Sequence, residues 1–276
     1  AESIAIVRQA LDAGVNFLDT AEAYQTEALV GQALDGVDRS TVVISTKKSY
    51  RKGISPALVR EGVEASLRNL NTDYIDIYNL HGVSASDYPM LREEILPTFF
   101  DLRDEGKIRF IGVTEMFGGD TTHQMLRLSL PDDLWDVVMV GFNILNQTAR
   151  EEVFPQTLAQ NVAVQIMFAV RRALSRPGKL VTALQELIEL GELDPADIDM
   201  DNPLGFVLDG SDATSVVDAA YRFCRYEPGV VVVLSGTGNP AHLQANIDSL
   251  CRPPLSADVV EKLRTIFRHA SSVTGG

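Results

Sequence analysis

Apolar and polar residues follow two rhythms along this chain. Short runs rich in Val, Ile and Phe occupy positions 17–20, 41–46, 74–80, 109–113, 136–142, 162–169 and 230–234. Several are almost continuously apolar, the pattern of parallel strands covered on one face and packed inside on the other. Between them lie longer segments with helical spacing: Ile4, Val7, Ala10 and Leu11 in the first, and Val59, Val63, Ser66, Leu67 and Leu70 in the third. The first six runs are centred about 25 to 34 residues apart, the pitch of a repeating β-α unit. This alternation predicts an α/β fold, either an open doubly wound sheet or a closed barrel. A closed barrel fills about 250 residues as a single domain, so residues 1–276 read as one domain.

A barrel needs eight strands, whereas seven runs are strong and the chain opens on a helix. The remaining strand is expected either upstream of residue 1 or in the weak segment Gly205-Phe206-Val207-Leu208. The upstream position is preferred, because residues 175–212 otherwise read as one long insertion. That stretch holds Pro177, Gly178, Pro195, Pro203 and the acidic run DPADIDMDNP, with one helix predicted at 180–190. Insertions of this length on a barrel commonly act as a lid or specificity loop.

Composition narrows the partners. Lys and Arg total 24 against 38 Asp and Glu, a net charge of −14 that disfavours nucleic acid and anionic membrane. Cys224 and Cys251 are too few for a disulfide framework, so a cytoplasmic protein with reduced thiols is expected. No apolar run approaches the roughly 18 residues that a membrane span requires. The opening AESIAIVRQA fits neither a signal nor a transit peptide. His123, His242 and His269 lack ligand spacing, and no metal site is expected.

In such folds chemistry gathers at the C-terminal ends of the strands. The first run ends at Asp19 with Tyr24 five residues on, the second at Thr46, Lys47 and Lys48, and the third at His81. A lone Asp after a strand is commonly an N-cap, and a lone His a satisfied core residue. Three consecutive strands that deliver Asp, Lys and His to one rim beside a Tyr form a constellation. A tyrosine is a weak acid near neutral pH unless an adjacent ammonium stabilises its phenolate, and a buried carboxylate would keep that lysine charged. A histidine can hydrogen-bond a carbonyl oxygen and turn it towards the acid.

The motifs FLDTAEAY, EALVGQAL, ISTKK and SLRNLNTDYIDIYNLHGV resemble the aldo-keto reductase family, and the likeness continues through LRDEGKIRFIGVTE, DVVMVGFNILNQ and VVVVLSGTGNPAHLQANI. The resemblance implies an (α/β)8 barrel that transfers hydride from a nicotinamide nucleotide, NADP(H) or NAD(H), to a small carbonyl substrate. By position, Tyr24 would be the general acid, Lys47 would lower its pKa, Asp19 would pair with Lys47 and His81 would orient the substrate. Lys48 is the rival of Lys47; strand alternation and the family's Thr-Lys pair favour Lys47.

Where the family commonly shows Ser-Asn this chain has Thr114 and Glu115, and where it shows Gln there is Met139. The tyrosine that stacks on the nicotinamide is replaced by Phe168 or Met167. The loop Ser235, Gly236, Thr237 and Gly238 matches the segment that holds the adenosine phosphate, with Gly238 at a position often held by Arg. Gln244 and Asn246 match positions that meet the adenine, and Arg171 and Arg172 either cover the pyrophosphate or belong to a solvated loop. Arg252 is a further cation that could reach the phosphate. These departures keep two other readings open: a nucleotide-independent lyase or isomerase, and a non-catalytic binding subunit.

Overall fold

The computed structural model describes residues 2–50 and 53–276. Seven strands form one sheet in chain order: β1 (Phe17–Asp19), β2 (Val43–Ser49), β3 (Ile75–Val83), β4 (Ile108–Glu115), β5 (Val137–Gly141), β6 (Ala163–Met167) and β7 (Val230–Val233). Each overlaps an apolar run with its ends no more than three residues away, and the registered pairs β1–β2, β2–β3, β3–β4 and β6–β7 are parallel. The chain divides into two compact units: Ala1–Met116 with Leu128–Val138 and Thr237–Leu243, and Phe117–Arg127 with Met139–Gly236 and Gln244–Gly276.

The first unit carries β1 to β4. Helix Pro56–Leu70 buries Val59, Val63, Ser66, Leu67 and Leu70, the positions its spacing marks. Proline opens that helix where no N–H partner is needed, the Ser55 hydroxyl accepts from the Leu58 N–H, and Asn71 closes it in the left-handed region. At the N-terminal ends of the strands, buried Asp76 accepts from Arg39 at 2.6 Å, Arg109 at 3.0 Å and the Ile44 N–H at 2.9 Å. These bonds tie β2, β3 and β4 together at the end remote from Asp19 and His81. Gly112 lies opposite Asn79 in the β3–β4 register, where any Cβ would come within 2.1 Å of the Asn79 amide oxygen. Only glycine admits that side chain.

In the second unit Phe142 stacks on Phe223 at 5.7 Å, and Arg150 lies over both rings while holding Glu227 at 2.6 and 2.8 Å. Residues 271–274 are fastened by Asn143 and Asn146, which donate to the carbonyls of Ser271, Val273 and Thr274, and by Glu192, which accepts from the N–H groups of Ser271 and Ser272. Gly205-Phe206-Val207-Leu208 is not a strand; Gly205–Asp209 is a helix. Four apolar residues carry no period of their own, and here Gly205 closes against Asn202 and Val207 is fully buried. The stretch expected to be one loop with one helix holds three helical pieces, Pro177–Glu189, Pro195–Asp197 and Gly205–Asp209. Its apolar residues Leu184, Leu187, Ile198, Leu204 and Val207 are buried.

Candidate active site

The ends of β1, β2 and β3 place four side chains together within the first unit. Parallel register sets Asp19 opposite Ser45, Lys47 opposite Asn79, and Ser49 opposite His81. Alternation along β2 turns Ser45, Lys47 and Ser49 to one face and Lys48 to the other. Lys47, 1% exposed, donates to Asp19 at 2.5 Å and to the Thr20 carbonyl at 2.7 Å. The Ser45 hydroxyl donates to the second Asp19 oxygen at 2.9 Å. Lys48 instead pairs with Glu22 at 2.8 Å and lies against Gly62 of the helix Pro56–Leu70.

Tyr24 stands at the end of a 3-10 turn, Glu22–Tyr24, that Gln25 terminates in the left-handed region. Its ring meets His81 edge-on, with centroids 5.5 Å apart and planes at 86°. The Tyr24 hydroxyl is 3.4 Å from His81 Nε2, and Lys47 Nζ is 5.4 Å from the centre of the Tyr24 ring. The tyrosine is half exposed. Asp19, Tyr24, Lys47 and His81 therefore form one cluster, with a phenol facing solvent and a buried ion pair behind it.

Burial pushes the Asp19 carboxyl up and the Lys47 ammonium down, each opposed by the charge and hydrogen bond of the other. Burial, and after it the positive charge of Lys47, brings His81 down to about 4, so its imidazole is neutral at pH 7. The Tyr24 phenol moves up, through burial and then the charge of Asp19. The net direction is opposite to the lowering expected beside Lys47, because desolvation disfavours the phenolate.

Two neighbours escaped the sequence reading. Ser49 Oγ is 3.4 Å from His81 Nδ1. The Asn79 amide donates to Ser45 Oγ and to the Thr46 carbonyl, both at 3.2 Å, bracing the strand that carries Lys47. Ser49 had a signal in its i+2 spacing from Lys47; Asn79 had none beyond being polar in an apolar run.

The residues matched to nucleotide binding are mostly engaged inside the protein. The Thr114 hydroxyl accepts from the Gly82 N–H at 2.7 Å, Glu115 is buried, and Met139 is a core residue. Phe168 adopts φ +67°, with the Arg171 guanidinium 4.2 Å above its ring; Arg171 also donates to the Thr274 hydroxyl. Met167 ends β6, and Arg172 begins the short helix Arg172–Ser175. Gln244 donates to Asp248, and buried Asn246 donates to Ser235 Oγ at 2.9 Å. Arg252 holds Asp212 and Asp218 at 3.0 and 3.2 Å.

The glycine loop after β7 is different. A Cβ at Gly236 or Gly238 would meet no atom within 4 Å, and Asn239 caps the Ala241 N–H at the start of helix Pro240–Cys251. An open glycine loop that runs into a twelve-residue helix suits phosphate oxygens through backbone N–H groups. The residues present thus fit the phosphate end of a nucleotide. Among the described residues no helix is long and apolar enough to cross a membrane.

The aldo/keto reductase family model matches residues 1–268. A solved aldo-keto reductase of Bacillus halodurans, in its holo form, superposes with a TM-score of 0.70 at 26% identity, covering 99% of this chain and 88% of that one. An aldo/keto reductase of Klebsiella pneumoniae solved with NADP and acetate gives a TM-score of 0.71 at 23% identity, covering 96% and 85%. The NADH-specific methylglyoxal reductase of Escherichia coli is 31% identical over 181 residues, 58% of this chain and 54% of that protein.

Proposed function

The chain belongs to the aldo/keto reductase family and shares its α/β-barrel fold, and we propose that it is an NAD(P)H-dependent oxidoreductase that reduces the carbonyl of a small aldehyde, ketone or sugar. The observation that carries this reading is the cluster of Tyr24, His81 and the Lys47–Asp19 pair at the ends of β1 to β3. A general acid must hold its proton at the working pH, and the raised Tyr24 phenol does. In this reading the neutral His81 donates its N–H to the substrate carbonyl oxygen and aligns it with Tyr24. The proton of Tyr24 passes to that oxygen as hydride reaches the carbonyl carbon, and the product is an alcohol. The phenolate left behind is stabilised by Lys47, whose charge Asp19 maintains.

A dihydronicotinamide nucleotide, when bound, would supply the hydride. Ser235, Gly236, Thr237 and Gly238 are the residues that would hold its nucleotide phosphates. Support for NADP(H) comes from the NADP complex of the Klebsiella relative, and for NAD(H) from the NADH-specific reductase of Escherichia coli. The engaged side chains of Gln244 and Asn246 favour a phosphate-led grip over an adenine-led one. A single catalytic domain with 175–212 as an inserted lid, and a cytoplasmic setting with unpaired Cys224 and Cys251, complete the reading.

The test is Tyr24→Phe. Loss of the acid lowers kcat for carbonyl reduction by about 10²–10⁴-fold, while the Kd for NADPH or NADH, followed by protein fluorescence, stays unchanged. A variant that retains more than about a tenth of kcat, well outside that range, removes Tyr24 from the role. Failure of the wild-type protein to bind either nucleotide overturns the reading.

A further inference from the structure

The imidazole of His81 is contacted at both nitrogens. Nε2 lies 3.4 Å from the Tyr24 hydroxyl, and Nδ1 lies 3.4 Å from Ser49 Oγ. The second contact follows from sheet register, since Ser49 and His81 are partners across β2 and β3. Around the ring stand Tyr24 from the 3-10 turn, Lys47 and Ser49 from β2, and Asp19 from β1 behind Lys47. With the ring partly withdrawn from water and Lys47 close by, the imidazole is neutral and carries one proton. Which nitrogen holds that proton decides what Tyr24 can do.

If the proton sits on Nδ1, Nε2 is an acceptor and takes the hydrogen bond of the Tyr24 hydroxyl. The acid's proton is then committed to the histidine. If it sits on Nε2, the Tyr24 oxygen accepts, and the phenol proton is free to face a substrate. A serine hydroxyl can satisfy either arrangement, because it both donates and accepts.

We propose that Ser49 is a positioning residue that selects the second arrangement: its hydroxyl donates to Nδ1 of His81, holding the imidazole proton on Nε2 and leaving the Tyr24 proton for the substrate. The inference rests on the carbonyl-reductase reading for its consequence, though the tautomer is measurable without any turnover.

The experiment combines a spectrum with kinetics. Long-range proton–nitrogen correlation NMR of isotope-labelled histidine distinguishes the two tautomers, and comparison with His81→Gln assigns the signal among four histidines. The wild-type protein is expected to show the Nε2-protonated form. Ser49→Ala should populate the Nδ1-protonated form and lower kcat by about five- to tenfold, the range of one neutral hydrogen bond, with nucleotide Kd unchanged. Ser49→Thr keeps the hydroxyl and the strand preference, and should restore both tautomer and kcat. An Nδ1-protonated wild-type ring overturns the proposal, as does an Ser49→Ala spectrum identical to wild type. If Tyr24→Phe is nearly inactive but Ser49→Ala changes nothing, only this inference fails. If the protein reduces no carbonyl while the Nε2 form is present and lost in Ser49→Ala, the functional reading fails and the assignment of Ser49 stands.

Discussion

Replacing Asp19 by Asn tests whether the charge behind Tyr24 is a buried ion pair. The side chain keeps its shape and one acceptor oxygen, but Lys47 loses its counter-charge while only 1% exposed. At 2.5 Å and an effective dielectric of about 20, the gross Coulomb term is roughly 7 kcal/mol. The Thr20 carbonyl at 2.7 Å and the new amide oxygen recover part of it. Breaking a buried pair by removing one partner costs about 3–5 kcal/mol, and the remaining acceptors place this site near 3 at pH 7. Unfolding entropy for 276 residues is roughly 0.6 kcal/mol/K, so the melting temperature should fall by about 5 °C. Urea unfolding at pH 7 reads the loss directly. The loss should shrink at alkaline pH, because a lysine already pushed down by burial sheds its proton more readily once Asp19 is neutral. Asp19→Asn combined with Lys47→Met removes both charges and should return most of the stability. A single-variant loss below about 1 kcal/mol, the scale of an exposed pair, would refute the argument. So would losses from the two substitutions that simply add.

Two further outcomes follow from the same geometry. His81 stays neutral in the folded chain down to about pH 4 but takes a proton near its ordinary 6.5 when unfolded. Acidification from 6.5 to 4 should therefore remove at most about 3 kcal/mol, less for a ring that partly faces solvent; His81→Gln should flatten that limb in urea midpoints, and an unchanged slope would exclude it. At Gly238 a side chain meets no neighbouring atom, so Gly238→Arg should fold normally and raise the NADPH:NADH affinity ratio about tenfold from a starting value below about a hundred, through a charge-assisted phosphate contact. Fluorescence titration with both nucleotides checks it, and an unmoved ratio would place the adenosine phosphate elsewhere.

Local pattern was enough to mark the strands and the polar side chains at or just past their C-terminal ends. Strands packed on both faces read as nearly continuous apolar runs, and several of the seven announce themselves in this way before any fold is known. The choice of Lys47 over Lys48 rested on strand alternation together with the resemblance's Thr-Lys pair, and the structure sends Lys47 to Asp19 and Lys48 to Glu22. Helix Pro177–Glu189 was legible in its period but not in its first turn, and Gly205–Asp209 was not legible at all, being too short to show one. Tertiary structure decided the rest. Which residue of β2 faces His81 depends on register between strands separated by a whole helix, so Ser49 could not be paired with it from sequence. Nor could the sequence show that Arg252 is held by Asp212 and Asp218, or that Asn246 is held by Ser235, since a polar side chain looks equally available until its partners are known. The shift of Tyr24 has the same origin: its direction is set by burial and the distance to Asp19, and both exist only once β1, β2 and the turn after β1 have packed.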